Sequence, residues 1–501
     1  MKGLNPCGII IFGASGDLAH IKIFPALYNL WDEGFFPDNF FITGFARTKM
    51  DDEQFRKTIY DSMNIYCRKK PIDAKHFKDF SKHINYLSMS YNDIKSYESL
   101  NTFTETKSKE YGMPKNLIFY LSTPPSVYQD VVEGLNNSGL ASNKEQKDGF
   151  SRIVIEKPFG YDYESANELN SNILSAFQER QIYRIDHYLG KETVQNILAF
   201  RFANAIFEPV WNNKYIDHIQ ISALESIGVG SRAGYFDNAG IIRDMMQNHM
   251  MQLLSLVAIE PPAIFDADDL SNEKAKLLKS VRRLTINDVR NNVVRGQYDR
   301  GIIGDNEEAL SYREEKGIPV DSITDTYVAL KLYIDNYRWA GVPFYIRSGK
   351  RIKEHKTEIA VYLKKLPHSL FGKNSIENLE QNIITITIQP NEGIELKIGA
   401  KSPGFKMEIE PVELSFFYKS SFKGTPPEAY ERLLYDIMEG DQTLFYRTDN
   451  MLISWKLIGD IINGWKSLPA PLFPNYESGS WGPKEADELI NKDGRAWHNE
   501  I

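Results

Sequence analysis

Four side chains that could bind a phosphate or move a proton lie close together in this 501-residue chain. They are Asp186, His187, Tyr188 and Lys191, which supply a carboxylate, an imidazole, a phenol and an ammonium group. Lys191 directly precedes the helical pattern 192–202, and a cation there opposes the helix dipole unless an anion is bound. His187, the Tyr188 hydroxyl and the first helical N–H groups would complete a phosphate site. A set of surface polar residues around a helix cap is the alternative, and so many phosphate-binding groups at such close spacing count against it.

A candidate general base lies on a later helical pattern, 241–259, which carries His249 on an apolar face. A lone histidine on such a face is more often a core residue than a base. The polar residue Asp244 on the adjoining face favours the interpretation of His249 as a base. An imidazole pKa near 6.5 also suits proton abstraction at neutral pH. Asp186 is a candidate carboxylate partner for this imidazole. The sequence alone does not place the two side chains together.

The elements that would position these groups begin with a dinucleotide-binding pattern. A short apolar strand, 7–12, runs into a glycine turn and then into the helical pattern 21–30. Glycines permit a tight turn and a close approach to a pyrophosphate at a helix N-terminus. The spacing departs from the standard G-x-G-x-x-G, so a plain tight turn is the alternative. The predicted cofactor-binding residues of the turn are Gly13, Ala14, Ser15, Gly16, Asp17 and Leu18.

The second predicted strand, 40–45, indicates which nicotinamide cofactor binds. An NAD enzyme places an acidic residue at the end of this strand, whereas this chain has Arg47 there. A guanidinium suits the 2′-phosphate of NADP, and Ser15 in the glycine turn supports the same choice. A solvated basic turn is the alternative. Lys157 follows another predicted strand, 152–156, and is therefore expected to face the cofactor–substrate crevice.

The sequence predicts two domains. Residues 1–186 are expected to form an α/β Rossmann-like NADP-binding domain. Residues 187–501 are expected to form an α+β domain for substrate binding and dimerisation, because several runs beyond residue 321 alternate between apolar and polar residues. Such runs predict a large, mostly antiparallel sheet, one face of which could form a dimer interface.

Composition narrows the possible partners and location. The net charge is −8 and the pI about 5.7, which argues against nucleic acid as a general partner. No stretch is long and apolar enough for a membrane span. The two cysteines, Cys7 and Cys67, have no metal-binding spacing and predict a reduced, cytoplasmic protein. No metal-ligand cluster is evident, so we predict no metal site.

Five motifs carry a resemblance to a known family. In order they are GASGDLA at 13–19, EKPFG at 156–160, RIDHYLGKE at 184–192, GYFDNAGIIRDMMQNH at 234–249 and RSGK at 347–350. With them the chain resembles the glucose-6-phosphate dehydrogenases, from the glycine turn nearly to the C-terminus. The third motif is highly specific to that family.

The resemblance implies a role for each matched position. His249 matches the general base and Asp186 the carboxylate that orients it, while His187, Tyr188 and Lys191 match the phosphate-binding residues. Glu225, Asp244 and Lys350 match residues that contact the sugar. Lys157 matches the lysine that touches both ligands, and Ser15 and Arg47 match the contacts of the 2′-phosphate. Among the departures from the family pattern, two concern ligand binding. His355 replaces a lysine or arginine near the sugar phosphate, and Thr387 replaces an arginine associated with a second, structural NADP, so that site is not carried over.

The implied activity is oxidation of D-glucose 6-phosphate at C1 to 6-phosphoglucono-1,5-lactone with hydride transfer to NADP⁺. This would be the first step of the oxidative pentose phosphate pathway, catalysed by a homodimer or a dimer of dimers. Two alternatives stay open: another NADP-dependent sugar oxidoreductase, of the glucose–fructose oxidoreductase type, and a non-catalytic NADP-binding regulator. The helix-borne His249 and the phosphate cluster count against the first. The presence of both a base and a phosphate anchor counts against the second.

Overall fold

A computed structural model of the protein describes residues 3–141, 149–304, 306–368, 370, 380–422 and 426–499. The chain divides into two compact units. The first unit comprises 1–191, 264–271 and 426–452, and the second comprises 192–263, 272–425 and 453–501. The functional division between an NADP-binding domain, 1–186, and a substrate domain, 187–501, stays a prediction.

The first unit contains a six-stranded parallel sheet. In the spatial order β3-β2-β1-β4-β5-β6, the strands β2, β1, β4 and β6 are buried at every residue, β5 at all but one, and β3 at its first three residues. Parallel sheets are covered on both faces, which explains why these strands are continuous apolar runs. In chain order the strands are β1 Cys7–Phe12, β2 Phe40–Ala46, β3 Ile84–Ser88, β4 Leu117–Leu121, β5 Ser151–Ile155 and β6 Ile182–Arg184.

Helices connect these strands, and side-chain caps fix several of their starts. Asp51 begins one of them with a capping box, since its Oδ1 accepts from the N–H of Gln54 at 2.8 Å and the Gln54 side chain accepts from the Asp51 N–H at 3.1 Å. The α-helices of this unit are Phe24–Asp32, Asp52–Tyr66, Ala74–Ser81, Ile94–Glu110, Tyr128–Asn137, Tyr163–Leu174 and Ala429–Glu439. A π-helical segment, Ala19–Ile23, and 3₁₀ turns at Pro125–Val127 and Glu179–Gln181 complete the helical elements.

The second unit contains an eight-stranded sheet in the order β17-β16-β15-β14-β7-β13-β12-β8. All neighbouring pairs are antiparallel except β13 and β7, which run parallel. The strands are β7 Ile216–Leu224, β8 Val293–Gly296, β12 Tyr327–Tyr333, β13 Pro343–Gly349, β14 Lys356–Leu363, β15 Ile383–Gln389, β16 Gly393–Lys401 and β17 Ile409–Phe417. Two short pairs join β9 Tyr298–Asp299 with β18 Tyr476–Glu477, and β10 Gly301–Ile303 with β11 Glu307–Ala309.

The helices of the second unit include a continuous run with an unusual first half. Ile242–Met250 is π-helical and Met251–Ala258 is α-helical. The remaining helices are Glu192–Phe202, Ala233–Ile241, Ile286–Asn292, Tyr418–Ser421 and Lys484–Asn491, with 3₁₀ turns at Glu208–Val210, Gly230–Arg232 and Tyr312–Glu314. Two further helices, Ala267–Ser280 and Thr448–Ser467, contain a unit boundary.

The predicted fold class is confirmed, with a Rossmann-like parallel sheet in one unit and a large, mostly antiparallel sheet in the other. The structure refines one expectation: the helix 241–259 is not α-helical throughout, because Ile242–Met250 is π-helical. Among the described residues, no helix combines the length and apolarity needed to cross a membrane.

Candidate active site

The glycine turn of the first unit is held between the carboxyl ends of neighbouring strands. Gly13 has a φ of +78°, and a Cβ on this residue would lie 2.6 Å from the backbone oxygen of Ser122. Its N–H donates to the Phe45 oxygen at 2.9 Å, and the Gly16 N–H donates to the Gly13 oxygen at 2.9 Å. A side chain at position 13 would therefore clash and be strained. The π-helical segment begins directly after the turn, so its N-terminus fits a pyrophosphate.

The predicted 2′-phosphate contacts lie together at the edge of this turn. The Ser15 hydroxyl is 3.1 Å from the Thr48 hydroxyl, and Thr48 directly follows Arg47. The Thr48 backbone oxygen in turn accepts a 2.7 Å hydrogen bond from the Tyr86 hydroxyl. Ser15 and Arg47 are both exposed, and the guanidinium carbon of Arg47 lies 5.8 Å from the ring centroid of Tyr91. The sequence analysis missed Thr48, for which a hydroxyl next to Arg47 was the available signal.

Lys157 follows β5 and is half-buried, beside a carboxyl group in an unusual setting. The Glu156 Oε1 accepts hydrogen bonds from the hydroxyls of Tyr120 at 2.6 Å and Tyr430 at 3.1 Å. Burial raises the pKa of Glu156 to about 7, against the lowering effect of the two tyrosine hydrogen bonds and of Lys157. Glu156 is therefore protonated over much of the acidic pH range. This property of Glu156 was not predicted, because it depends on tyrosines that are distant in the sequence.

The predicted phosphate-binding residues form one compact turn after β6. Asp186 is 1% exposed, and its Oδ1 accepts from the Tyr188 N–H at 3.0 Å. The Lys191 N–H donates to the Tyr188 oxygen at 3.1 Å, and the Lys191 ammonium lies 4.3 Å from the centre of the Tyr188 ring. The His187 and Tyr188 rings meet edge to face at 5.2 Å. The turn thus brings His187, Tyr188 and Lys191 together, as predicted, with the Asp186 carboxylate fixed by the backbone.

A returning helix, Ala429–Glu439, presses against this turn within the first unit. A Cβ on Gly190 would lie 2.6 Å from the backbone oxygen of Ala429, so the glycine permits the close approach. The same helix supplies Tyr430, which bonds to Glu156. One helix therefore contacts the segments that carry Lys157 and the phosphate-binding residues.

In the second unit, two predicted sugar contacts lie at the carboxyl ends of adjacent parallel strands. Glu225 follows β7 and Lys350 follows β13, and these strands pair Leu224 with Gly349. The Lys350 ammonium donates to the Glu225 carboxylate, and the Glu225 N–H donates to the Gly349 oxygen at 2.9 Å. Lys350 is 6% exposed. This geometry gives a paired cation and anion suited to holding sugar hydroxyls.

His249 and Asp244 both lie on the π-helical segment Ile242–Met250. In a π-helix the backbone hydrogen bonds join residue i to residue i+5, so two residues five apart are close to one turn apart and lie near the same side. In an α-helix, with 3.6 residues per turn, the same two residues would point in very different directions around the axis. His249 is fully buried and Asp244 is 3% exposed. The Arg232 guanidinium lies 3.5 Å from Asp244 Oδ1. The π-helical geometry therefore brings the predicted base and a predicted sugar contact to nearly the same side of the helix.

The two departures that concern ligand binding line one cavity of the second unit, of about 1030 Å³. His355 and Thr387 lie in its wall with Lys356 and Glu358. The buried Glu358 pairs with Lys356 at 2.8 Å and with the His498 imidazole at 3.1 Å. Thr387 places no charge there. A second, structural NADP site is therefore not carried over to this chain.

Within each unit the predicted residues form the local groups described above. Asp186 and His249 belong to different units. Their pairing stays a prediction. In the part of the chain that the structure describes, no group of three or more His, Cys, Asp or Glu side chains could hold a metal ion. Cys7 and Cys67 are buried and unbridged.

Comparison with known proteins identifies the family. Residues 10–196 match the family model "Glucose-6-phosphate dehydrogenase, NAD binding domain", and residues 198–498 match its C-terminal domain. The chain belongs to the glucose-6-phosphate dehydrogenase family. Curated relatives named glucose-6-phosphate 1-dehydrogenase include one from Chlamydia muridarum, 44% identical over 99% of this chain and 97% of its own length. Another, from Bacillus subtilis, is 43% identical over 98% of both chains.

Solved structures of the family share the whole fold. A glucose-6-phosphate dehydrogenase in complex with its substrate glucose 6-phosphate is 35% identical and superimposes with a TM-score of 0.90 over all of both chains. The enzyme from Mycobacterium avium is 32% identical, with a TM-score of 0.84 over 99% of both chains. The chain is therefore similar to the family in both its sequence and its fold, and it is a dehydrogenase acting on the CH–OH group of donors.

Proposed function

We propose that this protein is a glucose-6-phosphate 1-dehydrogenase that oxidises D-glucose 6-phosphate at C1 to 6-phosphoglucono-1,5-lactone and transfers the hydride to NADP⁺. The observation that carries the proposal is the match of both halves of the chain to this family. The reaction would be the first step of an oxidative pentose phosphate pathway in the cytoplasm. The two buried, unbridged cysteines support that location.

In the proposed mechanism, His249 takes the proton from the C1 hydroxyl as the hydride leaves C1. Asp186 accepts a hydrogen bond from the imidazole, which fixes its tautomer and stabilises the imidazolium that forms. Burial of His249 supports this assignment, because a water-excluded imidazole can be held in one orientation. NADP⁺, when bound, supplies the acceptor for the hydride.

The substrate is proposed to be held at both ends. His187, the Tyr188 hydroxyl and Lys191 bind the phosphate, which is remote from C1 and can use binding energy to position the reacting carbon. Their convergence in one turn supports this role. The remaining contacts with the sugar are proposed to come from Glu225, Asp244 and Lys350, with Lys157 between the sugar and the cofactor.

Preference for NADP is proposed to come from the edge of the glycine turn. Arg47 and the Ser15 hydroxyl would bind the 2′-phosphate, and the Ser15–Thr48 hydrogen bond supports this by fixing the turn beside Arg47. The pyrophosphate would lie over the turn formed by Gly13, Ala14, Ser15, Gly16, Asp17 and Leu18. The close fit at Gly13 supports a backbone surface without a projecting side chain.

The protein is further proposed to form a homodimer or a dimer of dimers through the outer end of the large sheet. Val412 and Leu414 on β17 are 39% and 56% exposed, and they lie opposite Ile398 and Leu396 on β16. A contiguous exposed apolar patch on a terminal strand is typical of a protein–protein interface. Burial of this patch against a second copy would remove it from water.

A spectrophotometric experiment tests the proposed activity and cofactor together. Purified protein is mixed with each combination of glucose 6-phosphate or glucose with NADP⁺ or NAD⁺, and the absorbance of reduced cofactor is followed. We expect rapid reduction of NADP⁺ with glucose 6-phosphate and little with glucose. Comparable rates with glucose would exclude the phosphate anchor, and faster reduction of NAD⁺ would contradict the role of Arg47.

A further inference from the structure

A short segment of the second unit, 322–326, contacts the start of the helix that carries the proposed base. The backbone oxygen of Asp325 accepts from the Ile241 N–H at 2.9 Å, and its Oδ2 accepts from the Ile242 N–H at 3.0 Å. The first N–H groups of a helix have no partner within the helix. Asp325 is 6% exposed, so it supplies these partners from inside the protein.

The chain bends sharply where this contact is made. Gly240 has a φ of +66°, and a Cβ on it would lie 2.8 Å from Asp325 Oδ1. The carboxylate therefore fits against bare backbone, with no room for a larger group on either side. A negative charge is also favourable at a helix N-terminus. Arg295 and Arg243 lie near enough to favour the charged form, while burial raises the pKa of Asp325 above its usual value.

Thr326, the next residue in the chain, holds the backbone of Lys350, another proposed sugar contact. The Thr326 backbone oxygen accepts from the Lys350 N–H at 3.0 Å. The Tyr476 hydroxyl lies 2.8 Å from the Thr326 hydroxyl and donates to the Lys350 oxygen at 2.8 Å. Two consecutive residues thus connect the helix of Asp244 and His249 with the strand end that presents Lys350.

The same segment is anchored before Asp325. The Ser322 hydroxyl donates to Asp237 Oδ1 at 2.5 Å, and the Thr324 hydroxyl donates to the Asp237 backbone oxygen at 2.7 Å. The Tyr312 hydroxyl also donates to Asp237 Oδ1, at 2.9 Å. Asp325 therefore lies on a segment that is also held by Asp237 of the preceding helix, Ala233–Ile241, so both sides of the bend at Gly240 contact it.

We infer that Asp325 is a positioning residue for catalysis: by binding the N-terminus of the π-helical segment, it sets the position of His249 and Asp244 relative to Lys350. The inference rests on the proposed role of His249 as the base. Loss of these contacts would let the helix start shift, and a displacement of about 1 Å at a reacting group can lower the rate by about a hundredfold.

Three variants separate positioning from simple stabilisation. D325N keeps an oxygen that accepts from the Ile242 N–H, so we expect kcat within about threefold of the wild type. D325A removes the acceptor, and we expect kcat to fall about 10- to 100-fold. D325E keeps the charge but adds a methylene beside Gly240, where there is no room, so its kcat should lie below that of D325N. D321A, at an exposed aspartate four residues earlier, is the matched control and should behave as wild type.

The measurements are kcat and KM for glucose 6-phosphate and NADP⁺, per folded active site, together with the melting temperature. Folded sites are counted from the stoichiometry of NADP⁺ binding, and the KM for NADP⁺ should stay within about twofold. A residue that merely stabilises the fold would lower the melting temperature and leave kcat per folded site unchanged, which would overturn the inference. If D325A does not fold, equal kcat values for D325N and D325E would overturn it instead.

Including H249N in the series separates two kinds of failure. If H249N keeps normal turnover, the proposed base is wrong and the inference loses its foundation. If H249N collapses while D325A keeps the wild-type kcat, the base stands and the positioning role of Asp325 is wrong. The expected result is a collapse with H249N and an intermediate loss with D325A.

Discussion

Replacing Glu156 with glutamine should flatten the pH dependence of stability between about pH 4.5 and pH 7. The folded protein holds the proton of this carboxyl because burial raises its pKa from 4.5 to about 7. In the unfolded chain the same group ionises near 4.5. The protonated Glu156 carboxyl therefore contributes its full amount to the free energy of unfolding below about pH 4.5. This contribution is lost as the pH rises to about 7, and it stays lost at higher pH.

The magnitude follows from the two pKa values. At about 1.4 kcal/mol for each pH unit, the interval from 4.5 to about 7 corresponds to about 3 kcal/mol. The four groups that face Glu156 act in opposite directions: Tyr120, Tyr430 and Lys157 lower its pKa, and Asp186 raises it. A glutamine oxygen can still accept from both tyrosine hydroxyls, so E156Q removes the titration while keeping the hydrogen bonds.

The assay is the melting temperature of E156Q and of the wild type at closely spaced pH values from 5 to 8. We expect E156Q to gain several degrees relative to the wild type across this range. E98Q, which changes an exposed glutamate on the helix Ile94–Glu110, is the matched control and should give a curve parallel to the wild type. Parallel curves for E156Q and the wild type would refute the reasoning, because they would mean that Glu156 is already ionised in the folded protein at pH 5.

Three other substitutions have defined outcomes. H249N should lower kcat by about 10²- to 10⁴-fold with little change in substrate binding, since a general base contributes that much; steady-state kinetics showing near-normal kcat would remove the assignment. K191A should raise the KM for glucose 6-phosphate at least tenfold, because a hydrogen bond to a charged group contributes about 1.5–3 kcal/mol, and an unchanged KM would exclude Lys191 as the anchor. L414D should convert the proposed dimer to monomer in analytical ultracentrifugation, and a dimer that persists would place the interface elsewhere. S415D, at an exposed position on the opposite face of the same strand, is the control and should leave the dimer intact.

Local sequence patterns were sufficient for the elements that carry the cofactor site. The strand at 7–12 and the glycine turn at 13–18 occur as predicted, and the helical segment begins at residue 19, two residues before the predicted start at 21. Each of these elements is defined by residues that are adjacent in sequence. The turn after β6 was predicted for the same reason, since the Asp186 carboxylate accepts a hydrogen bond from the N–H of Tyr188, only two residues later.

Pairings between distant residues could not be predicted in this way. Nothing in the runs 216–224 and 343–349 indicates that β7 and β13 lie side by side and parallel, although this pairing brings Glu225 and Lys350 together. The return of the helix Ala429–Glu439 to the first unit is equally non-local. Apolar periodicity determines which face of an element is buried, and leaves open which partner buries it.

The π-helical geometry of 242–250 was missed for a different reason. A helical apolar pattern is assigned to an α-helix by default, because π-helices are rare. The π-helical geometry decides the relation between Asp244 and His249, which an α-helix would separate widely around its axis. The contacts of Asp325 with Ile241 and Ile242 fix the first turn of this segment and lie more than 80 residues away in sequence.

The stretch 184–192 combines residues with separate physical roles. Arg184 is 2% exposed, and its guanidinium donates to Glu179, Asn170 and Thr448 within the first unit at 2.7–2.8 Å. Moving this group to a substrate phosphate would break its ion pair with Glu179 and its hydrogen bonds to Asn170 and Thr448. Arg184 therefore holds the end of β6 in place, and the positive charge in this stretch that can bind phosphate belongs to Lys191 and to His187 when protonated. Substitution of Arg184 should consequently lower stability before it changes the affinity for a phosphorylated sugar.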